Sequence, residues 1–235
     1  MVSMTVPIKG VQKLSAIDYP GKTCAIVFLA DCNFRCPYCH NPDLIKKPGS
    51  LPDISEEEVL DFLKTRKKWL DGLCITGGEP SLHKDLPDFI GRVKKEGFLV
   101  KLDTNGSNPG MIEQLVKDGL VDYISMDIKA PLDRYEEVTR AKVRKEDIQR
   151  SVDIIMNSGV EYEFRTTVLP RLFGRGDMEK IGQWLKGAEG FFIQGFRPGV
   201  TLDRAFRKES TFSPEELDEM AVIAGRYFKK VGVRS

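Results

Sequence analysis

The chain has 235 residues, of which 41% are hydrophobic and 30% charged, enough to bury a core in one large domain or two small ones and too apolar for a disordered chain. Its 36 basic and 35 acidic residues leave a formal charge of +1 with no long basic run, so the clustered lysine and arginine of a nucleic-acid footprint are missing. The opening MVSMTVPIKG lacks the apolar stretch and cleavage site of a secretory signal, no apolar run reaches the roughly 18 residues of a membrane span, and the cytoplasm is the expected location.

Strand-like and helix-like patterns then alternate. CAIVFLA (Cys24–Ala30) reads as a buried strand. Ser55–Leu70 opens on a serine cap and an acidic turn and ends basic, as a helix dipole prefers. Gly72–Gly78 is a strand ending in glycines, Lys84–Glu96 an amphipathic helix with Gly97 as its C-terminal cap, and Phe98–Gly106 the next strand. Pro109–Asp118 is a helix, Leu120–Pro131 contains a strand, and Lys145–Asn157 is a helix closed by Ser158-Gly159. Val160–Pro170 alternates like a strand, Asp177–Lys186 is a helix, Gly190–Phe196 a strand, and Ser213–Lys230 a last helix with a Ser-Pro start.

This order gives six strand–helix units, hence an α/β fold with a parallel sheet and helices outside. Six units are too few for a closed eight-stranded barrel and suit a partial barrel or a doubly wound sheet. A single domain is expected, with residues 1–23 as an N-terminal extension, 24–200 as the core and 201–235 as a C-terminal helix. Both architectures place ligands at the C-terminal strand ends. Unusual clusters stand there: Asp31–Asn41, then Gly77-Gly78-Glu79-Pro80, then Asp103-Thr104-Asn105-Gly106, then Asp127-Ile128-Lys129.

The first cluster, DCNFRCPYCHNPDL, holds three of the five cysteines as Cys32-x3-Cys36-x2-Cys39. In a reducing compartment such spacing points to metal or redox chemistry rather than disulfides. Structural zinc takes four protein ligands. His40 adjoins Cys39 and is poorly placed to share an ion with it; His83 could return in space, so a Cys3His zinc site stays open at this level. The competing reading is a four-iron cluster with three irons held by cysteine and the fourth vacant. Cys24 and Cys74 sit in apolar strands and read as buried structural thiols, and His83 as a surface residue at a helix start.

The motif Cys32-Asn33-Phe34-Arg35-Cys36-Pro37-Tyr38-Cys39, followed one strand later by GGEP, resembles the radical S-adenosylmethionine (radical SAM) enzymes. The resemblance implies a partial (β/α)6 TIM-like barrel. It further implies that Cys32, Cys36 and Cys39 bind a [4Fe-4S] cluster whose open iron chelates S-adenosylmethionine, that an electron from the cluster cleaves it, and that the resulting 5′-deoxyadenosyl radical abstracts hydrogen. Gly77, Gly78, Glu79 and Pro80 resemble the motif that meets the methionine amino group. Asp103, Thr104 and Asn105 match positions lining the cofactor and helping to bind a monovalent cation; as bare sequence they make a good turn. Asp127 and Lys129 match an Asp-x-Lys near the ribose and the carboxylate. Arg165 is expected to face the same cavity, its bland alternative being a salt bridge at the rim. Tyr38 is expected to meet the adenine, and His40 and Asn41 to support the cluster.

A finer resemblance, to the glycyl-radical-enzyme activating enzymes, rests on Ser15-Ala16-Ile17-Asp18-Tyr19-Pro20-Gly21-Lys22 together with TGGEPSL, KLDTNG, DYISMDIKAP and QGFRPG. Within them the chain is similar to the anaerobic ribonucleoside-triphosphate reductase activating proteins over nearly its whole length, with pyruvate formate-lyase activating enzyme as a near relative. This implies a glycine of a partner glycyl radical enzyme as substrate, an electron donor such as flavodoxin or ferredoxin, and Asp18 and Arg197 as contacts for the partner's loop. The chain departs from the pattern at Asp31, where glycine commonly precedes the first cysteine.

Overall fold

The computed structural model describes residues 5–234; residues 1–4, part of the segment read for a secretory signal, and residue 235 lie outside the described residues. Eight strands form one sheet in sequence order. They are β1 (Ile8–Tyr19), β2 (Lys22–Leu29), β3 (Gly72–Gly77), β4 (Leu99–Thr104), β5 (Tyr123–Asp127), β6 (Glu161–Val168), β7 (Gly190–Gly195) and β8 (Lys230–Arg234). β1 pairs antiparallel with β2, and every later neighbour is parallel. The helices are α1 (Pro42–Lys46), α2 (Glu56–Thr65), α3 (Leu86–Lys95), α4 (Pro109–Lys117), α5 (Tyr135–Thr139), α6 (Lys145–Met156), α7 (Arg175–Trp184) and α8 (Pro214–Ala224). Among the described residues no helix is long and apolar enough to cross a membrane.

Local chemistry sets these elements. Ser55 and Ser213 close full capping boxes with Glu58 and Glu216, so α2 and α8 start where the serines stand. Alternate strand residues such as Val27, Leu29, Leu73, Ile75, Val100 and Leu102 join the helices in the main core. The opposite face of the sheet starts apolar, with Tyr19, Cys24, Ile26, Cys74 and Tyr123 packed together, and turns ionic toward the strand ends. The sheet curls into a barrel with one side open. Residues 16–21 of β1 and its turn line a cleft together with Glu163, Arg165, Gln194 and Arg234 of β6, β7 and β8, so the two sheet edges approach each other without pairing.

Across that interior Glu163 accepts both Arg234 nitrogens at 2.7 Å, and Tyr123 Oη and Ser125 Oγ donate to it at 3.1 Å. Arg234 also stacks 3.9 Å above the Phe192 ring. Burial alone would raise the Glu163 carboxyl; Arg234 holds it below the usual range. β8 is thereby tied to β6 over the top of β7.

Three expectations need correction. The last helix stops at Ala224, not Lys230, because the chain turns where the Tyr227 ring lies against Gly182 and its hydroxyl donates to Glu179 at 2.5 Å; Lys230–Arg234 then becomes a strand. The N-terminal segment is a sheet strand rather than an extension, with register shifts on both sides of Ser15 that break its alternation. α2 ends at Thr65, and residues 66–69 form a turn that leaves Trp69 exposed.

Candidate active site at the strand ends

The loop after β2 carries the three cysteines. Asp31, at its start, has a φ of 63°, a left-handed conformation in which glycine is unstrained and aspartate tolerated. This is the physical reason why glycine suits that position, and the exposed Asp31 side chain fits it by pointing outward. Asp31→Gly is expected to leave the site intact and to raise stability by up to about 1 kcal/mol, read from urea midpoints; a loss of more than that would give the carboxylate a role of its own. Glu79 N donates to Asp31 O at 2.7 Å, and a Cβ on Gly78 would stand 1.7 Å from that same oxygen. Gly78 is therefore required by backbone approach between the ends of β2 and β3.

Cys32, Cys36 and Cys39 open on one cavity of about 200 Å³, shared with Gly77, Gly78, Glu79, Asp103, Thr104, Asn105, Asp127 and Lys129. Phe34 N and Asn41 N donate to Cys32 Sγ and Cys39 Sγ, each at 3.4 Å. Burial pushes the Cys32 thiol up to about 12 and Cys36 to about 11, and raises Cys39. Three buried thiolates need a cationic centre to exist at neutral pH. Among the described residues no three of His, Cys, Asp or Glu stand as a set that could hold one metal ion. His83 does not complete a zinc cage: it is half-buried and its Nε2 lies 2.9 Å from Ala30 O. The expected surface role for His83 is thus also corrected.

A strap from Phe196 to Glu209 covers the cysteine loop. Leu202 N donates to Cys39 O at 2.9 Å and Asp203 N to Pro37 O at 3.0 Å. His40 stacks on Phe196 and places Nδ1 3.0 Å from Val200 O. Asn41 Nδ2 is 3.3 Å from Gly77 O, tying the loop to β3. Tyr38 lines the cavity with its ring buried, and its hydroxyl is buried without a protein partner.

Glu79 is buried at the cavity wall, its carboxylate taken up by internal donors. Its carboxylate accepts from Ser81 N at 3.0 Å, Thr104 Oγ1 at 2.7 Å and Asn105 N at 2.6 Å, locking the ends of β3 and β4 together. Burial raises its carboxyl despite those donors. Pro80 is buried in the short turn that follows and does not line the cavity. Asn105 Nδ2 reaches back to Asn33 Oδ1 at 2.9 Å.

A chain of charges closes the floor. Arg165 Nε meets Asp127 at 2.9 Å and Arg165 Nη1 meets Asp103 at 3.3 Å; Lys129 Nζ is 3.1 Å from Asp127, and Lys101 pairs with Asp103. Tyr135 Oη accepts from Lys129 N at 3.2 Å. Burial opposes both carboxylates, yet Arg165 together with Lys101 at Asp103 and with Lys129 at Asp127 holds them below the usual range. Of this set Asp103, Asp127 and Lys129 line the cavity, and the Lys129 ammonium is the cation there that a ligand's carboxylate could meet. A monovalent cation here would have to share Asp103 and Asp127 with these side chains. Arg165 is interior rather than on the rim, but it lines the neighbouring cleft and is not among the residues that line the cysteine cavity, where it was expected.

That cleft, about 740 Å³, also holds Asp18 and Arg197, and it shares His40 and Thr167 with the first cavity as lining residues. Lys101, Glu163, Thr167 and Tyr135 escaped the sequence reading. For the first three a signal existed: Lys101 shares its strand face with Asp103, and Glu163 and Thr167 share theirs with Arg165.

A family model described as the radical SAM superfamily matches residues 26–185. A Methanocaldococcus jannaschii protein, provisionally named a glycyl-radical enzyme activating enzyme, is 36% identical over 99% of this chain and 97% of its own length. The pyruvate formate-lyase-activating enzyme of Clostridium pasteurianum is 31% identical over 70% of this chain and 69% of its own. Streptococcus suis SuiB, in a crystal structure with S-adenosylmethionine bound, matches with a TM-score of 0.65 over 87% of this chain and 48% of that one; at 12% identity this speaks for the fold alone. The family's [4Fe-4S] cluster and S-adenosylmethionine fit a cavity with three free thiols on one wall and the Lys129 ammonium on another. The chain belongs to the radical SAM superfamily and is an enzyme of its glycyl-radical-enzyme activating class.

Proposed function

We propose that this activase takes as its substrate a glycine in a loop of an anaerobic ribonucleoside-triphosphate reductase and removes one α-hydrogen to leave a glycyl radical. The observation that supports this reading is that the open-sided cleft and the cysteine cavity lie side by side, with His40 and Thr167 lining both. A peptide entering the open side of the barrel would bring its backbone to the cofactor without crossing the wall. Glycine suits such an approach because it has no side chain to obstruct it.

In this reading Cys32, Cys36 and Cys39 hold the cluster, and Gly77 and Gly78 give the methionine amino group a bare backbone to meet. Lys129 receives the cofactor carboxylate, while Asp103, Thr104, Asn105, Asp127 and Arg165 fix the surroundings of the ribose. When bound, the reduced cluster and the sulfonium together supply a carbon-centred radical. The residues position, and the strap with Phe196 and His40 keeps water out. Asp18 and Arg197 rim the cleft and would meet the incoming loop. A reducing cytoplasm, with a flavodoxin or ferredoxin as electron donor, suits the free thiols.

Anaerobic incubation with the reductase, S-adenosylmethionine and a reductant tests the reading. A glycyl doublet in the electron paramagnetic resonance spectrum of the reductase is expected. A doublet on a pyruvate formate-lyase instead, or turnover of a small molecule with no partner radical, overturns it.

A further inference from the structure

Beside the cysteine loop, one face concentrates positive charge. Arg35, exposed, donates from Nη1 to the carbonyls of Cys32 and Phe34 at 2.5 and 2.8 Å, and its backbone N donates to Thr139 O. The next residue along, Arg140, pairs with Asp203 at 2.6 Å and lies over the Phe206 ring, which Arg171 also covers at 4.6 Å. Arg204, Arg207 and Lys208 project from the strap around Phe206, are exposed, and form no ion pair among the described residues. These six cations face two carboxylates, Asp203 and Glu209. The excess of four stands on a chain whose whole formal charge is +1.

We infer that this face docks an acidic one-electron carrier protein that reduces the cluster. This rests on the reading that the cysteine loop holds the redox centre. The strap carrying the arginines is bonded directly to the backbone of that loop, at Cys39 O and Pro37 O. An electron crosses only a short gap, so a donor has to sit over this loop, and a cationic face selects an anionic partner and steers it there. The glycyl radical enzyme is the less suitable occupant. Its loop would use the cleft between β1 and β8, and neither Arg204 nor Arg207 lines that cleft.

The test uses protein reconstituted with iron and sulfide, mixed anaerobically with fully reduced flavodoxin while cluster absorbance is followed. For Arg204→Glu/Arg207→Glu, the second-order rate with flavodoxin is expected to fall ~10-fold or more at low salt. That loss should shrink as salt screens the pair. Reduction by photoreduced 5-deazariboflavin, small and uncharged, should stay within about twofold, as should flavodoxin reduction of Lys22→Glu/Lys68→Glu, whose exposed lysines lie at the opposite ends of β2 and β3. An unchanged flavodoxin rate overturns the inference. So does an equal loss with the small reductant or with the distant pair, and so does normal reduction with radical transfer to the glycyl radical enzyme lost. A parent protein that takes up no cluster overturns this inference and the reading beneath it together, and is seen before any donor is added.

Discussion

Cys36→Ala is expected to give a folded protein that holds no stable four-iron cluster and releases less than about a thousandth of the parent's 5′-deoxyadenosine. With two thiolates left, a second iron corner loses its protein ligand, and the cube is no longer anchored with a single vacancy. The fold has little reason to fail. Cys36 packs at the margin of the main core, and losing one buried sulfur costs about 1–2 kcal/mol. Cys74→Ala is the control: it removes an equally buried thiol from the barrel interior, with a similar stability cost, and should keep full iron content. Iron and sulfide analysis with product chromatography reads both variants. Unchanged iron and cofactor cleavage in Cys36→Ala would remove the basis of the functional assignment.

Arg165→Met is expected to cost about 3–5 kcal/mol at neutral pH, because it strands two interior carboxylates that share one guanidinium. The pH dependence has a definite sign. Asp103 and Asp127 sit below the ordinary carboxylate value in the parent. Their contribution is present above about pH 4 and is lost as pH falls toward the folded values. In the variant the share of that contribution due to Arg165 is already gone, so the gap between the two proteins should narrow below about pH 4. Urea unfolding at neutral and acid pH measures it. A loss under about 1 kcal/mol at neutral pH would mean that Lys101 and Lys129 suffice to neutralise the pair.

The six core strands and their order were legible because each is a short apolar run bounded by glycine or a polar turn. The place of the candidate site residues at the strand ends was legible for the same reason, since a strand that ends in Gly-Gly or Asp-Thr-Asn announces where its C-terminal edge lies. β1 was hidden by its bulges around Ser15, which break the period of two that marks a half-buried strand. β8 was hidden because KVGVR follows a helix with too few apolar residues to stand apart. The ionic barrel interior was the larger omission. Lys101 and Glu163 look like surface residues in sequence, and only the pairing of strands far apart in the chain gives each a buried partner. The positive face over the cysteine loop is assembled from four distant segments, at Arg35, Arg140, Arg171 and 204–208, so no local run of charge could reveal it.

The tie between Glu163 and Arg234 spans 71 positions. A growing polypeptide therefore makes the acid long before it makes the base. Until β8 emerges, the β6 carboxylate lacks its two-pronged partner and has only the Tyr123 and Ser125 hydroxyls and the more distant Arg165 and Lys101 charges to offset its burial. Closure of the barrel's ionic interior is thus deferred to a late stage of synthesis, whatever helices have already formed.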